Sequence, residues 1–114
     1  MPAAYSDIFL EQGADFNTQI TLDDVNGDPF NLTGFSVKSV AKNSYYSANA
    51  TIVFDATVYD ANNGIIQLSS PASVTANVSP RQKLVYDILL IDSSNNVTRV
   101  VEGQVLISPG VTIY

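Results

Sequence analysis

The chain has 114 residues, 46% of them hydrophobic, and its 11 acidic against 5 basic side chains give a formal net charge of −6. This length and apolar content predict one domain over residues 1–114, with a single core that needs no disulfides. The acidic balance argues against phosphate backbones and anionic lipid as partners, so neither nucleic acid nor a membrane is expected.

The first part of the chain alternates apolar and polar residues in short runs between turn signals, as half-buried strands do. Tyr5–Glu11 is predicted as a first strand, and Asp15–Leu22 as a second. The pair Asn26-Gly27 is a hairpin turn signal, because both residues tolerate positive φ. Phe35–Lys42 is predicted as a third strand, and its two lysines favour a position at the edge of a sheet.

The middle of the chain continues in the same manner. A polar loop at Asn43–Asn49 precedes a single predicted strand at Ala50–Tyr59. Ile65–Ser69 is predicted as a short strand. Ser70–Asn77 is the one segment predicted to form a helical turn, with Ser70 as its N-cap.

The longest strand pattern runs from Gln82 to Pro109 and predicts a hairpin around the turn Ser93–Asn96. Its first strand is apolar on both faces, which is typical of a central strand. Because an isolated hairpin is marginal in water, the shorter strands are expected to pack on this one. The inward residues predicted for the second strand are Val97, Val101, Val105 and Ile107.

Strand signals recur about every ten residues, and the connections are too short for crossover helices. We therefore predict an all-β fold, an antiparallel β-sandwich of about seven strands with at most one short helical turn. The predicted core consists of Phe16, Ile20, Phe35, Ile52, Phe54, Ile66, Leu68, Tyr86, Ile88, Val101 and Val105.

The chain contains no cysteine and no histidine, which excludes Ser-His-Asp and Cys-His catalysis and the zinc sites built on these ligands. A glycosidase would need two carboxylates in a cleft, whereas most acids here fall in predicted turns, so we expect no enzyme and no cofactor. The acids considered are Asp23, Asp24, Asp28, Asp55, Asp60, Asp87 and Glu102.

Two further hypotheses concern carboxylates. The run Asp24–Asp28 alternates Asp and Asn as calcium loops do, but it lacks their distal glutamate, so an ordinary turn is the expected structure and calcium the alternative. Asp87 and Glu102 lie in predicted strands near Arg99. If the three pair across the hairpin, they set its register or serve an interface.

Several segments together resemble a family of small tailed-phage virion proteins. They read LEQGADF at Leu10–Phe16, NGDPFNLTGF at Asn26–Phe35, VYDI at Val85–Ile88 and TRVVEGQVLISPGVT at Thr98–Thr112, with NSYYS at Asn43–Ser47. The chain is similar to the immunoglobulin-like β-sandwich domain at the N-terminus of phage baseplate upper proteins, and to free-standing structural proteins of cyanophages and marine myophages. The resemblance covers nearly the whole chain.

The resemblance implies a non-enzymatic virion structural protein, a tail, baseplate or neck component made in the bacterial host cytoplasm and located in the phage particle. Its expected partners are other virion proteins, and the chain itself is expected in multiple copies in a symmetric assembly. A capsid decoration, or cement, protein is the alternative within this class, and a small carbohydrate-binding module on the virion is the alternative from another class. Because no receptor-binding domain follows the predicted sandwich, direct host recognition is not expected.

The predicted contact residues are apolar or aromatic side chains in the two arms and in the Asn43–Asn49 loop. Both arms, Met1–Tyr5 and Val111–Tyr114, are expected to lie outside the strand ladder and to order on assembly, although the second could instead dock as an edge strand. Tyrosine suits interfaces because it buries a large area with little rotamer entropy to lose. The candidate interface residues are Tyr5, Tyr45, Tyr46, Val111, Ile113 and Tyr114.

Overall fold

The computed structural model describes residues 4–24, 26–44, 46, 50–78 and 83–111, and in this part of the chain it contains nine strands and one short helix. The strands are β1 (Ala4–Tyr5), β2 (Ile8–Glu11), β3 (Phe16–Thr21), β4 (Ser36–Lys42), β5 (Ile52–Val53), β6 (Asp55–Asp60), β7 (Ile65–Ser70), β8 (Leu84–Ile91) and β9 (Val97–Ser108), and the helix α1 is Ala72–Thr75.

The strands form two sheets. In the large sheet the order is β1-β9-β8-β4-β5, and β2 also pairs with β9; in the small sheet the order is β3-β7-β6. These are the neighbour relations of the G-F-C and B-E-D strands in immunoglobulin domains. The prediction of an all-β, immunoglobulin-like sandwich is confirmed, and the two-residue strands β1 and β5 account for the excess over about seven.

One edge of the large sheet is parallel. Both β1 and β2 run parallel to β9, with Ala4 opposite Val101 and Ile8 opposite Val105, whereas the other pairs of described strands are antiparallel as predicted. Parallel pairing needs no tight turn between partners, and these strands lie near opposite ends of the sequence. The expectation that all of Met1–Tyr5 lies outside the ladder is therefore wrong for Ala4 and Tyr5.

The predicted strand Ala50–Tyr59 is two strands in two sheets. Its first part, β5, pairs with β4, and its second part, β6, pairs with β7. Phe54 lies at the crossing point, where it is 4% exposed and its ring centroid is 5.6 Å from that of Phe16. The alternation of apolar and polar residues shows which side of a strand is buried, but it does not show which strand lies beside it.

The expectation that Phe35–Lys42 lies at the edge of a sheet agrees with the first half of this strand and is wrong for its second half. Along its whole length β4 pairs with β8, and on its other side β5 pairs with Val40 and Ala41. The two lysines, Lys38 and Lys42, point to the solvent side of the sheet.

The N-terminus of the helix is capped by a residue that is distant in sequence. Ser70, the predicted N-cap, is the last residue of β7 and is buried, and Pro71 occupies the cap position without a side-chain hydrogen bond. The Asp15 carboxylate instead accepts a hydrogen bond of 2.7 Å from the Ala72 N–H. A local pattern does not reveal this cap, because Asp15 comes from the β2–β3 connection.

The β8–β9 hairpin contains a bulge. Ile88 lies opposite Val101, but Leu89 lies opposite Arg99, so the register shifts by one residue. A bulge reverses the face on which the following residues lie. Val97, predicted to point inward with Val101, is therefore on the outer side and 58% exposed.

The turn of this hairpin is fixed by Asp92. Its Oδ1 accepts hydrogen bonds from the backbone N–H groups of Ser94 (2.8 Å) and Asn96 (2.9 Å). The hydrogen bond from the Asn96 backbone is the main cause that holds the pKa of the Asp92 carboxyl below its ordinary value. Asn95 takes the left-handed conformation at φ 64°, which asparagine tolerates, so the predicted turn is confirmed.

The core prediction is largely confirmed. Nine of the eleven predicted residues are buried, and Ile20 and Phe35 are partly buried against the core. The buried residues absent from the prediction include Leu32 and Val78, which lie in connections between strands where no alternation points to them.

Tyr86 ties the parallel edge to the core. Its ring is buried in β8, and its hydroxyl donates a hydrogen bond to the Ser6 carbonyl between β1 and β2. Burial raises the pKa of Tyr86 from 10.0 to about 12. Because the raised pKa favours the neutral phenol in the folded state, its contribution is complete below pH 10.0 and is lost as pH rises through about 12.

Replacing Tyr86 with phenylalanine removes this hydrogen bond and leaves the Ser6 carbonyl without it. We expect a loss of about 1–3 kcal/mol in the free energy of unfolding at pH 8, measured by urea denaturation. The difference between the two proteins should shrink at pH 11, where the wild-type phenol begins to lose its advantage. A difference that stays constant from pH 8 to pH 11 would contradict this role.

Candidate protein-binding interface

The solvent side of the large sheet is the candidate site. Residues that are opposite one another in the strand register point to the same side, and alternate residues of the same strands form the core. We call this solvent side the outer face. It consists of Ser36, Lys38, Val40, Lys42, Val53, Val85, Asp87, Leu89, Ile91, Val97, Arg99, Glu102, Gln104 and Leu106.

The outer face is unusually apolar for a solvent side. Antiparallel sheets with one covered face normally turn polar residues to water. Here Val40 lies opposite Val53, which is 70% exposed, and Val97 is also exposed. Exposed apolar residues that are collected in one patch of a monomer are a feature of contact sites.

The solvent side of the small sheet provides the contrast. Its outward positions along β3, β6 and β7 carry mostly amide and hydroxyl side chains, and the Gln67 side-chain amide donates a 3.1 Å hydrogen bond to Asn17 Oδ1. Tyr59, which is 59% exposed, and the half-buried Ile65 are apolar exceptions on this side, so the outer face is the more apolar of the two solvent sides. These outward polar residues are Asn17, Gln19, Thr21, Thr57, Gln67 and Ser69.

An ion cluster lies in the middle of the outer face. Asp87 is directly opposite Glu102, and Arg99 lies near both, with Nε 3.1 Å from Asp87 Oδ2 and Nη1 4.0 Å from Glu102 Oε2. The hypothesised grouping of these three residues is therefore observed. A shallow groove of about 310 Å³ adjoins the cluster and is lined by Val40, Lys42, Ser44, Val85, Tyr86, Asp87, Leu89, Arg99 and Glu102.

The outer face differs in charge from the rest of the molecule. It holds three of the five basic residues, Lys38, Lys42 and Arg99, and two of the eleven acids, Asp87 and Glu102. Its formal charge is +1, so the remainder of a chain of net charge −6 carries −7. Such a face favours contact with neutral or acidic protein surface.

A double-mutant cycle tests how the cluster is organised. Since Arg99 is nearer Asp87 than Glu102, the coupling between Arg99→Gln and Asp87→Asn should be about 0.5 kcal/mol, and that between Arg99→Gln and Glu102→Gln should be smaller. Urea denaturation of the single and double variants measures both couplings. Equal couplings, or a larger one for Glu102, would show that the observed geometry does not govern the cluster.

The predicted interface residues that are described are all exposed. Tyr5 lies in β1 opposite Glu102, at the border of the outer face, Tyr46 lies in the β4–β5 connection, and Val111 follows β9. The remaining three predicted residues, Tyr45, Ile113 and Tyr114, fall outside the described part of the chain. The described residues thus place Tyr5 beside the outer face.

Sequence reasoning missed three exposed apolar residues of this region, and one of them, Val97, was predicted to point inward. Phe9 is 75% exposed at the border of the large sheet, opposite Leu106, and Val53 is in β5. A signal for Phe9 was present, because Ile8 and Leu10 alternate with it in the first predicted strand, and if these two point inward Phe9 points outward. An aromatic residue at an outward strand position is the pattern to look for.

The turn carboxylates serve the backbone. Asp24 Oδ1 accepts hydrogen bonds from the N–H groups of Asn26 (2.8 Å) and Asp28 (3.1 Å), as in the ordinary turn that was expected. Within the described ranges, no group of three or more His, Cys, Asp or Glu side chains is placed to hold a metal ion. Among the same residues, no helix has the length and apolar character needed to cross a membrane.

Comparisons with known proteins give a distant structural likeness. No protein-family model matches the sequence, and no curated protein matches it either. The fold is similar to a chain in a crystal structure of ICOS in complex with ICOS-L and an anti-ICOS-L VNAR domain, with 15% sequence identity and a TM-score of 0.49. The alignment covers 93% of this chain, which spans 56% of the length of that chain.

Proposed function

We propose that this protein is a non-enzymatic structural component of a tailed-phage virion, in the tail, baseplate or neck, and that it binds neighbouring virion proteins through the outer face. The observation that carries the proposal is the apolar outer face, which stands against a polar solvent side on the small sheet. The sequence segments that resemble small phage virion proteins support the virion as the location.

Binding at the outer face follows from its surface chemistry. Covering exposed apolar groups such as Val53 and Val97 contributes about 25 cal/mol per Å² of apolar area removed from water. The ion cluster at the centre fixes the orientation of a bound partner more than it adds affinity. A partner that placed like charges against the charges of the cluster would be repelled. A neighbouring copy offers an acidic surface to a face of charge +1, so contacts between copies in a symmetric assembly fit the charge distribution.

The test is incorporation into particles. A phage lacking the gene is grown in cells that supply the wild-type chain, Val53→Glu or Thr57→Glu, and purified particles are quantified for the chain by mass spectrometry. Val53 is on the outer face and Thr57 is on the solvent side of the small sheet, and both are exposed strand residues that receive the same charge. Thermal unfolding of each purified variant verifies that it is folded.

Val53→Glu should reduce incorporation at least about tenfold, and Thr57→Glu should leave it near the wild-type level. Equal incorporation of the two variants would refute the outer face as the interface, and absence of the wild-type chain from particles would refute the virion role. Detection of the chain by mass spectrometry in purified capsids, after the tails have been removed, would favour the decoration-protein alternative. Binding to a glycan array that is lost in Tyr46→Ala would favour the carbohydrate-binding alternative, since Tyr46 is exposed.

A further inference from the structure

The open side of the sandwich lies between β2 and β3. The large sheet ends on β1 and β2, which pair only with β9, and the small sheet ends on β3, which pairs only with β7 among the described strands. Two cavities of about 450 Å³ and 290 Å³ follow this side, and both are lined by Phe9, Phe16 and Thr18. Together they form a groove, which we name the β2–β3 groove.

The small sheet has one strand fewer than a constant-type immunoglobulin sheet. That sheet has the order A-B-E-D, so a strand normally lies beside strand B. Strand B corresponds to β3 here, and the first strands of this chain pair with β9 in the other sheet instead. Within the described residues, the position beside β3 is therefore unoccupied.

The edge of β3 offers backbone groups for pairing. Alternate residues of an edge strand turn their N–H and C=O groups away from the partner strand. In the described part of the chain, the backbone bonds of residues 16–21 are those of the β3–β7 ladder. An extended segment of about six residues would match the length of β3.

The groove also has a distinct chemistry. Its apolar wall includes Phe9, which is 75% exposed, and the edge of Phe16. Three acids, Asp7, Glu11 and Asp15, line the two cavities, and no lysine or arginine is among the residues lining them. Complementary charge therefore requires basic residues on whatever occupies the groove.

We propose that the β2–β3 groove binds an extended, basic segment of a partner protein, which adds to the edge of β3 as an extra strand. Apolar side chains on alternate positions of that segment pack against Phe9 and Phe16, and its lysine or arginine side chains face the three acids. Main-chain hydrogen bonds give such strand additions their affinity, and the pockets for alternate side chains give specificity. This surface shares Leu106 with the outer face but includes neither Val53 nor Val97, so the inference does not depend on the proposed function.

The test uses the isolated protein and two synthetic hexapeptides, acetylated and amidated, with alternating lysine and valine or alternating glutamate and valine. Chemical shifts of the ¹⁵N-labelled protein are followed at 0.15 M salt, and amide hydrogen exchange is measured with and without peptide. The variant Phe9→Lys removes the apolar wall of the groove and opposes the charge of a basic peptide, and Tyr59→Lys adds the same charge at an exposed residue of β6 in the small sheet as a control.

The lysine peptide should shift the amides of β3 saturably and slow their exchange, while the glutamate peptide should bind at least about tenfold more weakly. Phe9→Lys should weaken binding of the lysine peptide about tenfold relative to Tyr59→Lys, although both add a positive charge, because only Phe9 lines the groove. The inference is overturned if the lysine peptide causes no saturable shift in β3, if its shifts map to another surface, or if the two variants bind it equally.

Discussion

Phe54→Ala is expected to lower the free energy of unfolding by about 3–5 kcal/mol, the largest effect anticipated for a single substitution in this chain. Phe54 is buried where the chain passes from β5 in the large sheet to β6 in the small sheet. Its ring packs at a tilt of 48° on Phe16, so truncation leaves a cavity between the sheets and removes an aromatic contact.

The matched control is Phe9→Ala, the same chemical change at a residue that is 75% exposed. Because surface substitutions outside special sites usually change stability by less than about 0.5 kcal/mol, this variant should unfold nearly as the wild type does. Urea denaturation compares the two variants. Similar losses for both would mean that Phe54 does not occupy the junction between the sheets.

Gly103→Ala is the second substitution with a large expected effect, because a close approach requires a glycine there. A Cβ at this position would overlap the carbonyl oxygen of Ser6, lie 2.7 Å from its carbon, and lie 3.1 Å from Cε1 of Tyr86. The Ser6 atoms are backbone, so the parallel edge must move away from β9. We expect a loss of about 1–3 kcal/mol, with the Tyr86 hydrogen bond disrupted.

Gly34→Ala is the control for Gly103→Ala. Gly34 has φ +84°, so alanine is strained there, but an added Cβ meets no atom within 4 Å. The Ser6 N–H donates to the Glu102 carbonyl at 2.9 Å, and its hydrogen exchange reports on the parallel edge. That exchange should accelerate in Gly103→Ala and remain slow in Gly34→Ala, and acceleration in neither variant would contradict the predicted displacement.

The features predicted correctly from sequence follow from alternation and from local turn chemistry. The hairpin of β8 and β9 was predicted from its long alternating runs, and the core around Ile88 and Val105 from the same pattern. The turn after Asp92 needed only its Asp and Asn residues. These properties depend on neighbours in the sequence, which a single sequence displays.

The features that were missed depend on distant partners. Three such features were missed: the change of sheet at Phe54, the parallel pairing of Ala4 and Tyr5 with β9, and the capping of α1 by Asp15. Each depends on contacts between residues that are far apart in sequence, or on backbone pairing between strands. Backbone pairing leaves little trace in side-chain identity. The one-residue bulge that turns Val97 outward could not be predicted from the sequence for the same reason.

Tyr5 and Tyr46, which the sequence predicts as contact residues, are both exposed, and their role in contacts stays a prediction. The apolar character of the outer face was not predicted, because strands that are apolar on both sides were interpreted as central and covered. β8 is indeed central within its sheet, yet no second layer of described residues covers Val85 and Leu89 from outside.

The central claim, the proposed place of this chain in a tailed-phage virion, is tested most directly by localising the chain in a density map of intact particles. The proposed function predicts density for the sandwich in the tail, baseplate or neck, with a neighbouring protein covering Val53, Leu89 and Val97 on the outer face. A particle map without this chain, or with the chain present and its outer face open to solvent, would contradict it.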